Sequence, residues 1–202
     1  MKLNVGIDLG GTKMLVVVLD PDMKVLSRRK TKVKKGVSPL DTAIAMKNLC
    51  EEALSKCSSK WSDVGNIGLS IPSSVNPETG EAFHAPALGW KNVPIKSIIS
   101  EVFGRDTVIE NDVNCGVLAE CAVGSARNFK NVIGYFVGTG LGGGIIIDGK
   151  LFKGTRGLAG ELGHEKIVCE GRKCGCGKRG CVEAYCSKAA FARRLEKVAE
   201  SK

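Results

Sequence analysis

The chain has 202 residues and a formal charge of +9, from 30 Lys and Arg against 21 Asp and Glu. With 43% apolar and 25% charged residues it has the make-up of a globular protein that can bury its own core. No apolar run reaches the ~20 residues of a membrane span, and only 5% of residues are aromatic, with no stacking platform or helix-turn-helix, so neither a membrane nor a nucleic acid is an expected partner.

The N-terminus, "MKLNVGIDLGG", enters a strand with no charged leader or cleavage site, which fits a cytoplasmic protein whose thiols stay reduced. From Asn4 to Asp20 two apolar strands flank a Gly-Gly-Thr turn, and Pro21-Asp22 turns toward a third strand near Val25-Leu26. The basic run Arg28 to Lys35, "RRKTKVKK", alternates Lys32 and Lys34 with Val33 and reads as the wet side of a charged edge strand. A helix is predicted from Pro39 to Cys57, with Ile44, Leu49, Ala53 and Leu54 toward a core. A buried strand "NIGLSIP" follows, then a Pro/Gly-punctuated loop, "SSVNPETGEAFHAPALGW", in which His84 is an isolated, structurally neutral histidine. A helix over Ile95 to Phe103, a strand "DTVIEN" and a helix "DVNCGVLAECAVG" opened by Asp112 or its neighbour complete this part.

From Val132 to Gly149 the opening pattern returns. Gly138 matches Gly10 and Asp148 matches Asp20, both at an offset of 128 (138 − 10 and 148 − 20). An internal echo of one supersecondary unit implies two related lobes with a cleft between them. The tips "DLGGTK" (8–13) and "GTGLGGG" (138–144) hold more glycine than a hairpin turn needs, which lets backbone N–H groups approach an anion, and Thr12 and Thr139 add hydroxyls. Neither tip is a Walker loop or a Rossmann fingerprint. Two such tips suggest a nucleotide polyphosphate held from both sides. Asp8, at the end of the first strand, either ends a turn or faces the phosphates through Mg²⁺. Asp112, in "ENDVN", either caps a helix or accepts a substrate hydroxyl proton in phosphoryl transfer.

Four of the nine cysteines (Cys50, Cys57, Cys115, Cys121) fall in predicted helices, and the count is odd, which argues against a disulfide framework. Cys174-x-Cys176-x4-Cys181, interleaved with glycines and preceded by His164, has the spacing and donor set of a closed tetrahedral Zn²⁺ site. Cys169 and Cys186 are the substitute ligands. Such a site would draw Glu161 and Glu183 together, either as plain surface glutamates or as acceptors for vicinal hydroxyls of a sugar.

The segments "DLGGTK", "ENDVN", "VGTGLGGGIIIDGKLFKGTRGLAGELGH" and "CGCGKRGCVE" resemble the ROK family of bacterial sugar kinases and sugar-responsive repressors, from Val5 to about Tyr185. The resemblance implies an α/β actin-like ATPase fold with two ribonuclease H-like lobes, residues 1–110 forming the first and 111–202 a partial second. It implies ATP with Mg²⁺ as donor, a hexose or N-acylhexosamine hydroxyl as acceptor, structural Zn²⁺, and dimers. By the same resemblance Asp112 is the general base, and Asn111, Glu161, His164 and Glu183 bind sugar. His164, Cys174, Cys176 and Cys181 bind zinc, while Asp8, Gly10, Gly11, Thr12, Lys13, Gly138, Thr139 and Gly140 line the phosphates. A non-catalytic sugar-binding or regulatory module is the alternative. Three features depart from the family pattern. Pro72-Ser73-Ser74 replaces the usual Pro-Gly-Pro, Ala87 stands where a sugar-binding Asn is usual, and the chain stops at Lys202 within "KAAFARRLEKVAE", so the second lobe is expected to be incomplete.

Overall fold

A computed structural model describes residues 2–34 and 36–200. It divides into two compact units, Met1–Asp112 and Val113–Lys202. Lys35, the last residue of the basic run, lies outside the described residues.

In the first unit, β1 (Leu3–Leu9), β2 (Lys13–Leu19) and β3 (Val25–Lys32) form an antiparallel meander. Strand β4 (Val64–Ile71) then pairs parallel to β1, β5 (Ala82–Ala85) and β6 (Trp90–Val93) form a separate ribbon, and β7 (Val108–Asn111) pairs parallel to β4. The five-stranded order is β3-β2-β1-β4-β7. Strict alternation makes this sheet. Leu3, Val5, Ile7 and Leu9 of β1, with Met14, Val16 and Val18 of β2, are buried in one core. At the edge, β3 is mostly exposed and carries Arg28, Arg29, Lys30 and Lys32, a charged edge that resists pairing with other chains.

Helix α1 (Pro39–Lys56) starts where Ser38 Oγ accepts the Asp41 N–H at 3.0 Å, with Pro39 in the first turn. Its buried stripe is Thr42, Ala43, Met46, Leu49, Cys50, Ala53 and Leu54, each large member worth about 1.5–3 kcal/mol of burial. The expectation for Ile44 is corrected: it is 43% exposed, because the helical repeat turns position 44 away from the 43-46-50-53 line. Cys57 caps the helix and is not part of it. Helix α2 (Ile95–Phe103) ends at Gly104, with φ of 63°. The stretch 73–90, read as loop, holds β5 and the start of β6. Four-residue strands separated by turn residues leave too short an alternation to be read from sequence.

In the second unit, α3 (Asp112–Val123) leads into a second antiparallel meander of β8 (Val132–Val137), β9 (Leu141–Ile147) and β10 (Lys150–Leu151), ordered β10-β9-β8. The internal echo is structural. Strand β9 begins and ends 128 positions after β2 (141 − 13 and 147 − 19), and β8 ends 128 after β1 (137 − 9). Helix α3 lies close on this sheet because Gly134, Gly142 and Gly144 have no Cβ to meet Val113 and Val117. In the first unit β1 has β4 on its far side; in the three-stranded sheet β8 is the edge, with Ile133, Tyr135 and Val137 exposed. Helices α4 (Glu183–Cys186) and α5 (Lys188–Glu200) follow the cysteine segment, and Phe191, Leu195 and Val198 lie exposed on α5. Among the described residues no helix is long and apolar enough to cross a membrane, and all nine cysteines are free of disulfides.

Candidate functional site

The cysteine segment folds into a tight loop. The Cys174 N–H donates to Lys178 O at 2.8 Å, the Gly177 N–H to Cys174 O at 3.1 Å, and the Gly180 N–H to Arg172 O at 2.9 Å. Gly180 has φ of 82°, and a Cβ there would run into the Val168 carbonyl, so only glycine fits. His164 arrives on a single 3₁₀ turn, Leu162–His164. Gly163 within it passes so close to the Leu141 carbonyl that a side chain would clash.

These two segments bring the ligand atoms of His164, Cys174, Cys176 and Cys181 within 4.8 Å of one another. Cys174 Sγ lies 3.6 Å from His164 Nδ1, and Cys176 Sγ lies 3.8 Å from Cys181 Sγ. Zinc bonds of about 2.3 Å to sulfur and about 2.0 Å to nitrogen give tetrahedral edges of about 3.8 Å (S–S) and about 3.5 Å (S–N). The residues therefore fit a tetrahedral zinc ion. Without a cation, burial favours the neutral form of Cys174 and pushes its thiol up to about 12. Burial also opposes ionisation of Cys176, but the Lys178 backbone and hydrogen bonds with Cys174 and Cys181 outweigh it and leave that thiol below its ordinary value. A cation at the centre would favour the thiolate at each of the three cysteines and the neutral imidazole at His164. Cys169 and Cys186, the sequence-level substitutes, are exposed and lie outside the cluster.

Two carboxylates border these ligands. Glu161 Oε2 is 3.9 Å from His164 Nε2, the ring nitrogen opposite the one facing Cys174. At that distance the carboxylate stands beside the ring without a direct hydrogen bond to it. Glu183, half-buried at the start of α4, holds Oε1 3.4 Å from Cys174 Sγ, while its Oε2 accepts the Leu141 N–H at 2.9 Å. That second contact ties the cysteine segment to the second glycine-rich tip, a link the linear sequence gave no sign of.

The tips match each other in their bonding. The Gly10 N–H donates to Lys13 O and the Gly138 N–H to Gly140 O, both at 2.9 Å. Thr12, Lys13 and Thr139 are exposed, as is Asp8. Not all of the glycine surplus makes room for an anion, as the sequence suggested. Gly11 lies against Ala87, Gly140 against Glu183, and Gly143 against Gly160 and Leu162, so close packing explains part of it. Ser70, missed in the sequence, donates its hydroxyl to Asp8 Oδ1 at 2.7 Å from the adjacent parallel strand.

Asn111 ends β7 and Asp112 opens α3. The Asn111 side-chain amide donates to Ser73 O at 3.3 Å. Ser73 is buried, and its hydroxyl donates to Ser74 O at 2.9 Å and accepts the His84 N–H at 3.1 Å. The serine pair thus fastens the end of β4 to β5 and to Asn111. His84 takes part through its backbone alone.

Comparison with known proteins matches the chain over residues 4–202 to the ROK family. It is 35% identical over 193 residues to a glucokinase of Streptomyces coelicolor, covering 96% of this chain and 59% of the relative. It is 33% identical to a xylose repressor of Caldicellulosiruptor bescii, covering 96% of this chain and 49% of that one. Superposed on the crystal structure of a ROK family glucokinase from Streptomyces griseus in complex with glucose and AMPPNP, it gives a TM-score of 0.84 at 32% identity, covering 99% of this chain and 62% of the other. The chain thus spans about 60% of the length of the kinases it matches, and it has their actin-like ATPase fold, of which it represents only part. The chain belongs to the ROK family.

Proposed function

We propose that this protein transfers the γ-phosphoryl group of Mg–ATP to a hydroxyl of a hexose or an N-acylhexosamine. The observation that carries this reading is the pair of carboxylates, Glu161 and Glu183, bordering the His164-Cys174-Cys176-Cys181 cluster at 3.9 and 3.4 Å. Zinc at that cluster supplies rigidity and no chemistry, since four protein ligands leave no open position. What is held rigid is a set of acceptors suited to vicinal hydroxyls. With Cys174 ligating as thiolate its proton is gone, and Oε1 of Glu183 turns to a substrate hydroxyl. Asn111 and His164 complete the sugar contacts.

Asp112 accepts the proton of the attacking hydroxyl while the sugar oxygen bonds to the γ-phosphorus and the bond to the β-phosphate oxygen breaks, releasing ADP. Asp8, exposed and oriented by Ser70, is the carboxylate facing Mg²⁺, an ion that needs only one or two protein carboxylates beside phosphates and water. Since the N–H groups of Gly10 and Gly138 close their own turns, contact with phosphates falls to Gly11, Thr12, Lys13, Thr139 and Gly140. The ADP-forming reaction tests the proposal. Zinc-loaded protein should release ADP from Mg–ATP only when glucose, mannose, N-acetylglucosamine or N-acetylmannosamine is supplied; no sugar-dependent release from folded protein with any hexose would sink it.

A second reading is a sugar-binding regulatory module. It is favoured by the 33% identity to a xylose repressor and by Ala87, whose methyl side chain cannot bond a hydroxyl. Calorimetry separates the two, because a regulator binds sugar without binding Mg–ATP.

A further inference from the structure

The segment that follows the last cluster cysteine touches the second glycine-rich tip twice. Glu183, two residues after Cys181, accepts the Leu141 N–H through Oε2 at 2.9 Å. The backbone N–H of Lys188 donates to Gly138 O at 3.0 Å. Gly140, between these points, is held so close to the Glu183 carboxylate that no side chain could stand there. On its other side the Leu141 carbonyl abuts Gly163, next to His164. The tip is therefore clasped between the two segments that carry the cluster ligands, and one charged side chain spans the gap.

We propose that Glu183 is a positioning residue through which metal occupancy of the cysteine cluster sets the conformation of the Gly138–Leu141 tip. The inference rests on the kinase reading only for its consequence, that zinc loading governs nucleotide affinity as well as sugar binding. The physical basis is local. Glu183 and Cys181 share one short turn, in which the Ala184 N–H donates to Cys181 O at 3.0 Å. Cys174 Sγ lies 3.4 Å from the other carboxylate oxygen. A metal that fixes Cys181 fixes the base of the Glu183 side chain two residues on, and converting Cys174 to a thiolate releases Oε1 from the sulfur while Oε2 keeps the Leu141 N–H. Without it, four ligands lose their common anchor, the turn can rotate, and the Leu141 N–H exchanges its partner for water. A charge-assisted hydrogen bond released in this way permits local opening with no global unfolding.

Amide hydrogen exchange on the full chain tests this, with zinc bound and after chelation. Leu141 should exchange about tenfold faster once zinc is removed, while Ile146, buried further along β9, keeps its protection. Glu183→Ala should exchange fast at Leu141 in both states. Glu183→Gln, which keeps a carbonyl acceptor, should restore most of the protection and the zinc response. Mg–ADP titration should show a parallel loss of affinity on chelation, absent in Glu183→Ala. Unchanged Leu141 exchange after verified zinc loss would overturn the proposal. So would equal loss of protection at Leu141 and Ile146, which would make the metal a general staple. A zinc response at Leu141 together with no Mg–ADP binding would support the strut and count against the kinase reading, so the two fail separately.

Discussion

Gly11 and Ala87 are in direct contact: a β-carbon built on Gly11 would overlap that of Ala87. The first glycine-rich tip therefore rests on the loop before Trp90, at the position where family kinases carry an asparagine. The absence of a side chain at Gly11 is what permits this close approach.

Gly11→Ala should accordingly destabilise the first unit by about 1–3 kcal/mol through overpacking, read as a Tm lower by several degrees. The double variant Gly11→Ala with Ala87→Gly should recover most of the loss, because it removes the opposing methyl. Thermal denaturation of the two variants and the native protein decides. Equal Tm values for the single variant and the native protein would show that the loop yields at no cost.

Much of the fold could be read from the chain because the pattern was locally redundant. The alternation in β1 and β2, the Ser-Pro start of α1 and the offset between the two hairpins each follow from short-range rules. Ile44 was misplaced because several apolar residues of α1 compete for the buried stripe and only packing chooses among them. The gathering of His164, Cys174, Cys176 and Cys181 was legible from their spacing and the softness of the donors. The contacts of Glu183 with Leu141, of Ser70 with Asp8 and of Asn111 with Ser73 were not, since each joins residues 38 to 62 positions apart through topology alone.

Ser70→Ala should leave the fold and sugar affinity intact while weakening Mg–nucleotide binding about three- to tenfold, since a hydrogen bond to a charged group is lost from Asp8. Calorimetric titration with Mg–ADP and with glucose reads both at once. A change confined to the sugar would detach Asp8 from the nucleotide.

Asp112→Asn should keep sugar affinity within about twofold and lower turnover by about 10²–10⁴, the range for removing a general base. The split between binding and turnover distinguishes this role from helix capping, in which Asn substitutes well for Asp. Turnover like that of the native protein would leave Asp112 as a cap.

The most direct measurement is X-ray absorption at the zinc edge, with metal content determined on the same purified protein. One zinc per chain, with a coordination shell of three sulfurs and one nitrogen that is lost in Cys174→Ser, is the result expected if His164, Cys174, Cys176 and Cys181 form the anchor of the sugar site. Metal-free folded protein, or a shell of four sulfurs with His164 excluded, would contradict the account.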